Sequence, residues 1–230
     1  MLTVRLETVK NLVNNADCVF DVGTDHGYVP ISLINEKKAK KVIAADINEG
    51  PLKNAEKNIR FAGLSNKIEL RLGSGMVPLE DGEADTVIIA GMGGILIADI
   101  IKESFEKAKK VRKFILQPMY SQDFLRKYLL DNGFEITGEY LARENEKIYN
   151  IITVAFGNEK KDYTNETFLV MGHPEKFEKN DDFKYYIEKR KSHAENVLKN
   201  LKKAKTDKEN EIKQTEKFLL DLEEYYACTL

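Results

Sequence analysis

The chain has 230 residues, 42% of them apolar, and a formal net charge of -2. That length supports one core of about 150–200 residues plus an appendage, and the near-neutral balance excludes a chain basic throughout, so any nucleic-acid surface must be local. No apolar run reaches membrane-spanning length and the first residues carry no apolar signal segment, from which a cytoplasmic protein off the membrane is expected. Two cysteines, Cys18 and Cys228, stand at opposite ends, Cys18 within an apolar run. A disulfide framework is not expected, and a reducing compartment is the natural reading.

In chain order, residues 2–14 read as an amphipathic helix with Leu2, Leu6, Val9, Leu12 and Val13 on one face. Strands are expected at 18–22, 41–46, 68–72, 86–90 and 113–117, and helices at 30–36, 50–62, 95–108 and 125–132. Two longer strands, 134–143 and 147–156, read as a hairpin. Strands alternating with helices imply a parallel sheet with right-handed crossovers. The fold class expected is therefore α/β: a Rossmann-like, mostly parallel seven-stranded sheet with a terminal antiparallel hairpin.

The first strand runs into Asp21-Val-Gly23-Thr-Asp25-His-Gly27-Tyr-Val-Pro30. A strand, a glycine turn and a helix opened by proline make a nucleotide-type cofactor site. The dinucleotide fingerprint is not matched, because Asp25 stands where the second glycine would be and would repel a pyrophosphate. Asp21-x-Gly23-x-Asp25-x-Gly27 instead resembles the first motif of the class I S-adenosylmethionine (SAM) methyltransferases, departing at Asp25, and the sulfonium and ammonium of SAM would be complemented by carboxylates. Asp46, ending the second strand about twenty residues on, can accept both ribose hydroxyls of an adenosine. A plain structural turn, and Asp46 as a helix cap, are the competing explanations.

Several stretches together resemble the bacterial tRNA methyltransferases that act on N1 of adenine 22. They are residues 21–30, 45–52 and 71–75, then 83–94 with Gly91-Met92-Gly93-Gly94, 116–119, and 144–152 with Lys147-Ile148-Tyr149. The loop Gly73-Ser74-Gly75 departs from the family's usual Gly-Asp-Gly, so Ser74 offers a weaker acceptor than a carboxylate. The resemblance implies a class I SAM-dependent enzyme transferring methyl to adenine N1 in tRNA, without a metal. It implies a cofactor set of Asp21, Gly23, Thr24, Gly27, Asp46, Ile47, Asn48, Gly73, Ser74, Gly75, Ala90, Gly91 and Met92. Around the transferred methyl, residue type and place suggest Asp25 orienting the adenine or complementing its charge, His26 hydrogen-bonding substrate or cofactor, Tyr28 stacking or donating, and Gln117 at the base edge. Each has a structural alternative: Asp25 as a helix cap, His26 tying down its loop, Tyr28 in the core, Gln117 satisfying backbone groups.

Three regions are expected: a SAM-binding domain over 1–157, a linker over 158–180 with a short strand at 168–171, and a helical extension over 181–230. In the extension, Phe183, Ile187, Ala194, Val197, Leu201 and Ala204 give a coiled-coil spacing that Arg190 interrupts. Ile212, Thr215, Phe218, Leu219, Leu222 and Tyr225 continue it after a capping-box pattern at Thr206 and Glu209. Two antiparallel helices are expected, the first basic and the second acidic. Their charges either complement each other or leave Lys199, Lys202 and Lys203 for tRNA phosphates. A monomer or weak dimer is expected. A SAM-dependent enzyme with another acceptor, and a non-catalytic SAM- and RNA-binding adaptor, are the rival functions.

Overall fold

The computed structural model describes residues 2–157, 165–178, 180–204 and 208–227. The chain divides into two compact units, Met1–Lys161 and Asp162–Leu230.

The first unit is a seven-stranded sheet flanked by helices. Its elements are α1 (Val4–Asn11), β1 (Ala16–Val22), α2 (Tyr28–Asn35), β2 (Ala39–Asp46), α3 (Glu49–Phe61), β3 (Ile68–Leu72), β4 (Thr86–Met92), α4 (Gly94–Glu103), α5 (Phe105–Ala108), β5 (Lys113–Pro118), α6 (Gln122–Asp131), β6 (Phe134–Glu144) and β7 (Lys147–Phe156). The strand order is β3-β2-β1-β4-β5-β7-β6, parallel except for β7, which runs antiparallel to both β5 and β6. Central strands carry apolar side chains on both faces because helices cover both: Val19, Phe20, Val42, Ile43, Val87, Ile88, Ile89, Phe114, Ile115 and Leu116 are fully buried. Crossovers from β1 lead to β2 and β3 on one side, and the chain then returns to β4 on the other. The crevice between the C-terminal ends of β1 and β4 is therefore the switch point where such sheets bind ligands.

Three expectations in this unit need correction. The turn at Gly91-Met92 is the end of β4, where a bulge between Ala90 and Met92 shifts the register against β5. The helix expected over 95–108 breaks at Ser104 into α4 and α5. The first helix is shorter than the apolar pattern, ending at Asn11, although Val13 beyond it is still buried in the core. At the hairpin end of the sheet, a fully buried Arg126 on α6 donates to Glu139 on β6 at 2.8 Å and to Asn150 on β7 at 2.9 Å. Pairing with partners on two strands is what makes a buried charge tolerable there.

The second unit holds α7 (Glu166–Met171), a 3-10 turn (Pro174–Lys176), α8 (Asp181–Leu201) and α9 (Glu209–Ala227). The short strand expected at 168–171 is instead part of α7. The Asn165 side chain caps it, accepting from the Thr167 N–H at 2.9 Å, and this local bond outweighs the strand-like run Phe-Leu-Val-Met. Ion pairs Lys191–Glu223 (3.1 Å) and Lys202–Glu216 (2.6 Å) join α8 and α9 in antiparallel register. Phe183, Tyr186, Ile187, Ala194, Leu222 and Tyr225 are buried between these elements. Val197 is exposed, whereas Leu198 and Arg190 are half-buried. Thr206 of the capping-box pattern and Cys228 lie outside the described residues.

Candidate active site

Asp21 sits one residue before the end of β1, paired with Ala44 of β2 and Ile88 of β4, and is only 6% exposed. The chain then turns at Gly23, whose φ of +78° favours glycine. A Cβ there would also fall 2.4 Å from the Met92 Cε. The backbone N–H groups of Gly23 and Thr24 both donate to the Ala45 carbonyl, at 2.8 and 3.0 Å, which pins the turn to β2. Gly27 (φ +70°) ends the loop and opens α2. Together these elements frame a cleft of about 340 Å³ lined by residues 21–29, by Ile88, Ala90 and Gly91 of β4, and by Arg5 and Leu6 of α1.

The cleft holds a buried anion. Burial pushes the Asp21 carboxyl up to about 6, the Thr24 hydrogen bond opposes that, and the Asp46 charge adds to it. Burial makes the ionised form of this carboxylate costly, and a positive group bound beside it would relieve that cost.

The next two strand ends extend the site. Asp46 ends β2 half-buried; one of its oxygens accepts from the Asn48 N–H at 2.8 Å. Asn48 itself is the cap residue of α3, which leaves Asp46 outside the cap position. Ile47 beside it is exposed. Gly73 donates to the Asp46 carbonyl at 2.9 Å, tying the β3 loop to the β2 end, and Ser74 is exposed at its tip. Gly75 (φ +51°) packs on Ile100. Residues 46–48 and 73–75 are thus adjacent strand-end loops, while residues 21–29 and 90–91 line the cleft directly.

The first loop presents side chains outward. Asp25 is exposed, with its Oδ2 3.3 Å from His26 Nε2. The His26 ring stacks on Tyr28 with centroids 5.3 Å apart and planes 25° apart. Tyr28 is exposed, which removes the core-aromatic explanation, and Gly27 holds the helix-cap position that Asp25 could have filled.

Gln117, expected at the base edge, is fully buried with both ends of its amide occupied. Its Oε1 accepts from the Gly91 N–H at 3.0 Å and from Arg5 Nη1, and its Nε2 donates to the Pro118 carbonyl at 3.1 Å. It therefore ties α1, β4 and β5 together. Arg5 escaped the sequence reading: its N–H donates to Glu144 Oε1 at 2.8 Å and its guanidinium lies 5.7 Å from the Tyr149 ring centroid. Only tertiary pairing across 112 residues reveals it, since in sequence it is one charge on a surface helix.

In the second unit Lys199, Lys202 and Lys203 are exposed, and Lys202 is held by Glu216. Among the described residues no group of three His, Cys, Asp or Glu is placed to hold a metal. Cys18 is buried, and burial pushes its thiol up to about 11.

Comparison with known proteins agrees with this geometry. A methyltransferase-domain family profile matches residues 2–152. The tRNA (adenine(22)-N(1))-methyltransferase of Bacillus subtilis is 33% identical over 162 residues, 70% of this chain and 68% of that protein. The crystal structure of the B. subtilis m1A22 tRNA methyltransferase TrmK superposes with a TM-score of 0.85 at 28% identity, covering 98% of both chains. A Streptococcus pneumoniae protein in complex with S-adenosyl-L-methionine superposes with a TM-score of 0.84 at 32% identity, covering 98% of this chain and 99% of that one.

Proposed function

The chain belongs to the family of SAM-dependent tRNA (adenine(22)-N(1))-methyltransferases, and from that premise we propose how its own residues divide the work. The reaction is methylation of N1 of an adenine in tRNA with SAM as donor. We propose adenine 22 as the target.

The observation that carries the reading is the buried carboxylate of Asp21, bonded to Thr24 at the end of β1 and facing a cleft at the switch point. When bound, SAM supplies an electrophilic methyl group on a sulfonium. Asp21 would face its ammonium, and Asp46 would accept from the ribose hydroxyls. Ile47 gives the adenine ring of the cofactor an apolar neighbour, and Ser74 offers a hydroxyl near its amine. Thr24, Asn48, Gly73, Gly75, Ala90 and Met92 shape the walls, while Gly23, Gly27 and Gly91 let backbone approach closely.

Adenine N1 already carries a lone pair, so the residues need not remove a proton before attack. Their task is alignment. The base becomes cationic as it is methylated, and Asp25, exposed at the mouth, complements that charge. His26 and Tyr28, stacked on each other, bound the same loop, His26 as a hydrogen-bonding partner and Tyr28 as a ring or hydroxyl. Gln117 acts as a positioning residue that fixes Gly91 and Arg5. N1 lies on the Watson–Crick edge, so the adenine must leave its stack, at a cost of a few kcal/mol.

The second unit extends the reading. Lys199, Lys202 and Lys203 contact tRNA phosphates, the α8–α9 pair acts as a short coiled coil, and the protein works in the cytoplasm as a monomer or weak dimer. The experiment is methyl transfer from labelled SAM to unmodified tRNA, followed by digestion to nucleosides. Label in 1-methyladenosine is expected. Label in any other nucleoside, or none in RNA alongside SAM binding, would overturn it.

A further inference from the structure

An adenine drawn out of its stack needs a surface to lie on, and the segment after β4 offers none of its own: Gly91-Met92-Gly93-Gly94 carries no aromatic side chain. The neighbouring strand supplies one. Gly93 has an ordinary extended backbone, φ −70° and ψ 148°, so no conformational demand calls for glycine there. Space does: a Cβ on Gly93 would fall 2.5 Å from Cε2 and 2.6 Å from Cζ of Tyr120. The Tyr120 ring thus rests on the bare backbone of Gly93, two residues from cleft-lining Gly91.

The ring is held and yet open. The Tyr120 carbonyl accepts from the Gly94 N–H at 2.8 Å, and Met119 N–H donates to the Met92 carbonyl at 2.8 Å. Ser121, which follows, keeps a left-handed φ of 56°. Such a conformation is costly for a side-chain-bearing residue and is retained where surrounding structure over-determines it. Its carbonyl oxygen would lie 2.1 Å from a Cβ on Gly94, so the two segments are locked backbone to backbone. Despite this fixation the Tyr120 side chain is 64% exposed, and among the described residues neither its ring nor its hydroxyl has a partner. Met119, Phe124, Ile95 and Leu96, on the same two segments and their helices, are exposed as well.

We infer that Tyr120, seated on Gly93, is the stacking platform for the target adenine of the tRNA, supplied from the end of β5 to a β4 segment that lacks an aromatic of its own. The inference rests on the adenine-N1 reading above and assigns it a base-holding side chain. A ring fixed at its backbone and free on one face loses little entropy when a base stacks on it, and the apolar neighbours exclude water from the contact.

The test uses the full-length protein, a tRNA transcript and SAM, with Y120A, Y120F, G93A and the G93A/Y120A double variant. Y120A is expected to lower kcat/KM for tRNA roughly 10- to 100-fold, the measured range for losing one base–aromatic stack. SAM affinity should stay within about twofold, because Tyr120 is not among the cleft-lining residues. Y120F keeps the ring face and should keep most of the activity. G93A tolerates its backbone but pushes the ring off its seat, so its defect should match that of Y120A in sign, and the double variant should be no worse than Y120A alone. Y120A within about threefold of wild type would overturn the inference, as would equal losses in Y120A and Y120F, or a parallel loss of SAM affinity. A wild-type protein that leaves adenine N1 unmethylated would defeat the parent reading instead, and this one with it.

Discussion

Asn at position 21 should make the protein more stable and a weaker SAM binder at once. In the native state the Asp21 carboxyl is pushed up to about 6 from an ordinary 3.8 by burial. Native Asp21 therefore holds its proton to a higher pH than unfolded Asp21, and the folded state binds more protons between those two values. Stability contributed through this group falls as pH rises through that window and stays low above it. At ~1.36 kcal/mol for each unit of difference, the penalty at neutral pH is ~3 kcal/mol. Asn resembles the protonated acid in shape and keeps an oxygen for the Thr24 hydroxyl. In urea unfolding followed by circular dichroism without SAM, wild type and D21N should nearly coincide at about pH 4 and diverge by up to ~3 kcal/mol at pH 7, less the cost of the buried amide N–H. Glu69, held down to about 2 by Arg71 and Lys41, titrates alike in both proteins and cancels in the difference. SAM titration should show D21N weakened roughly tenfold or more, the value of a charge-assisted bond. A difference at pH 7 below about 1 kcal/mol, or one constant with pH, would refute the reasoning.

Other perturbations separate the parts of the site. D46A should weaken SAM by roughly 10- to 100-fold while leaving unfolding nearly unchanged, because the half-buried carboxylate makes one short-range bond within the protein, to Asn48; calorimetric titration checks it. Q117A should destabilise the fold by about 1–3 kcal/mol, since it empties a fully buried side-chain site and removes the bonds that tie Gly91 and Arg5 to β5, and denaturant midpoints will report it. Charge reversal at Lys199, Lys202 and Lys203 should weaken tRNA binding and flatten its dependence on salt; binding curves at two salt concentrations that match wild type would remove these residues from the interface. E139A should cost about 3–5 kcal/mol, because it leaves Arg126 buried and short of its carboxylate, and thermal unfolding tests it.

Much of the fold was written in short-range pattern. The β3 span Ile68–Leu72 and the β7 span Lys147–Phe156 match the expected bounds, β3 through its alternation of Ile68, Leu70 and Leu72 with charged residues and β7 through its β-branched run, with turns marking the ends. The glycine loop was legible for the same reason: Gly23 and Gly27 adopt the positive φ that their type permits. What stayed hidden depends on contacts made far along the chain. The short helix α7 hinges on the Asn165 cap, a local bond that competes with a strand-like composition. On α8 Leu198, not Val197, is the more buried of the two, a choice set by packing against α9 rather than by spacing alone. The burial of Gln117, the place of Arg5 in the cleft and the seating of Tyr120 on Gly93 arise only when β4, β5 and α1 come together, and no spacing within the sequence announces them.

The central claim is that this chain places a methyl group on N1 of adenine 22 in tRNA. That group blocks the Watson–Crick edge, so reverse transcription across a treated transcript reports it at single-nucleotide resolution. A SAM-dependent stop immediately 3′ of position 22 is expected, absent from a transcript with guanine there and reduced with D21N at SAM concentrations that do not saturate the variant. A stop at another adenine, or an unblocked transcript after full turnover conditions, would contradict it.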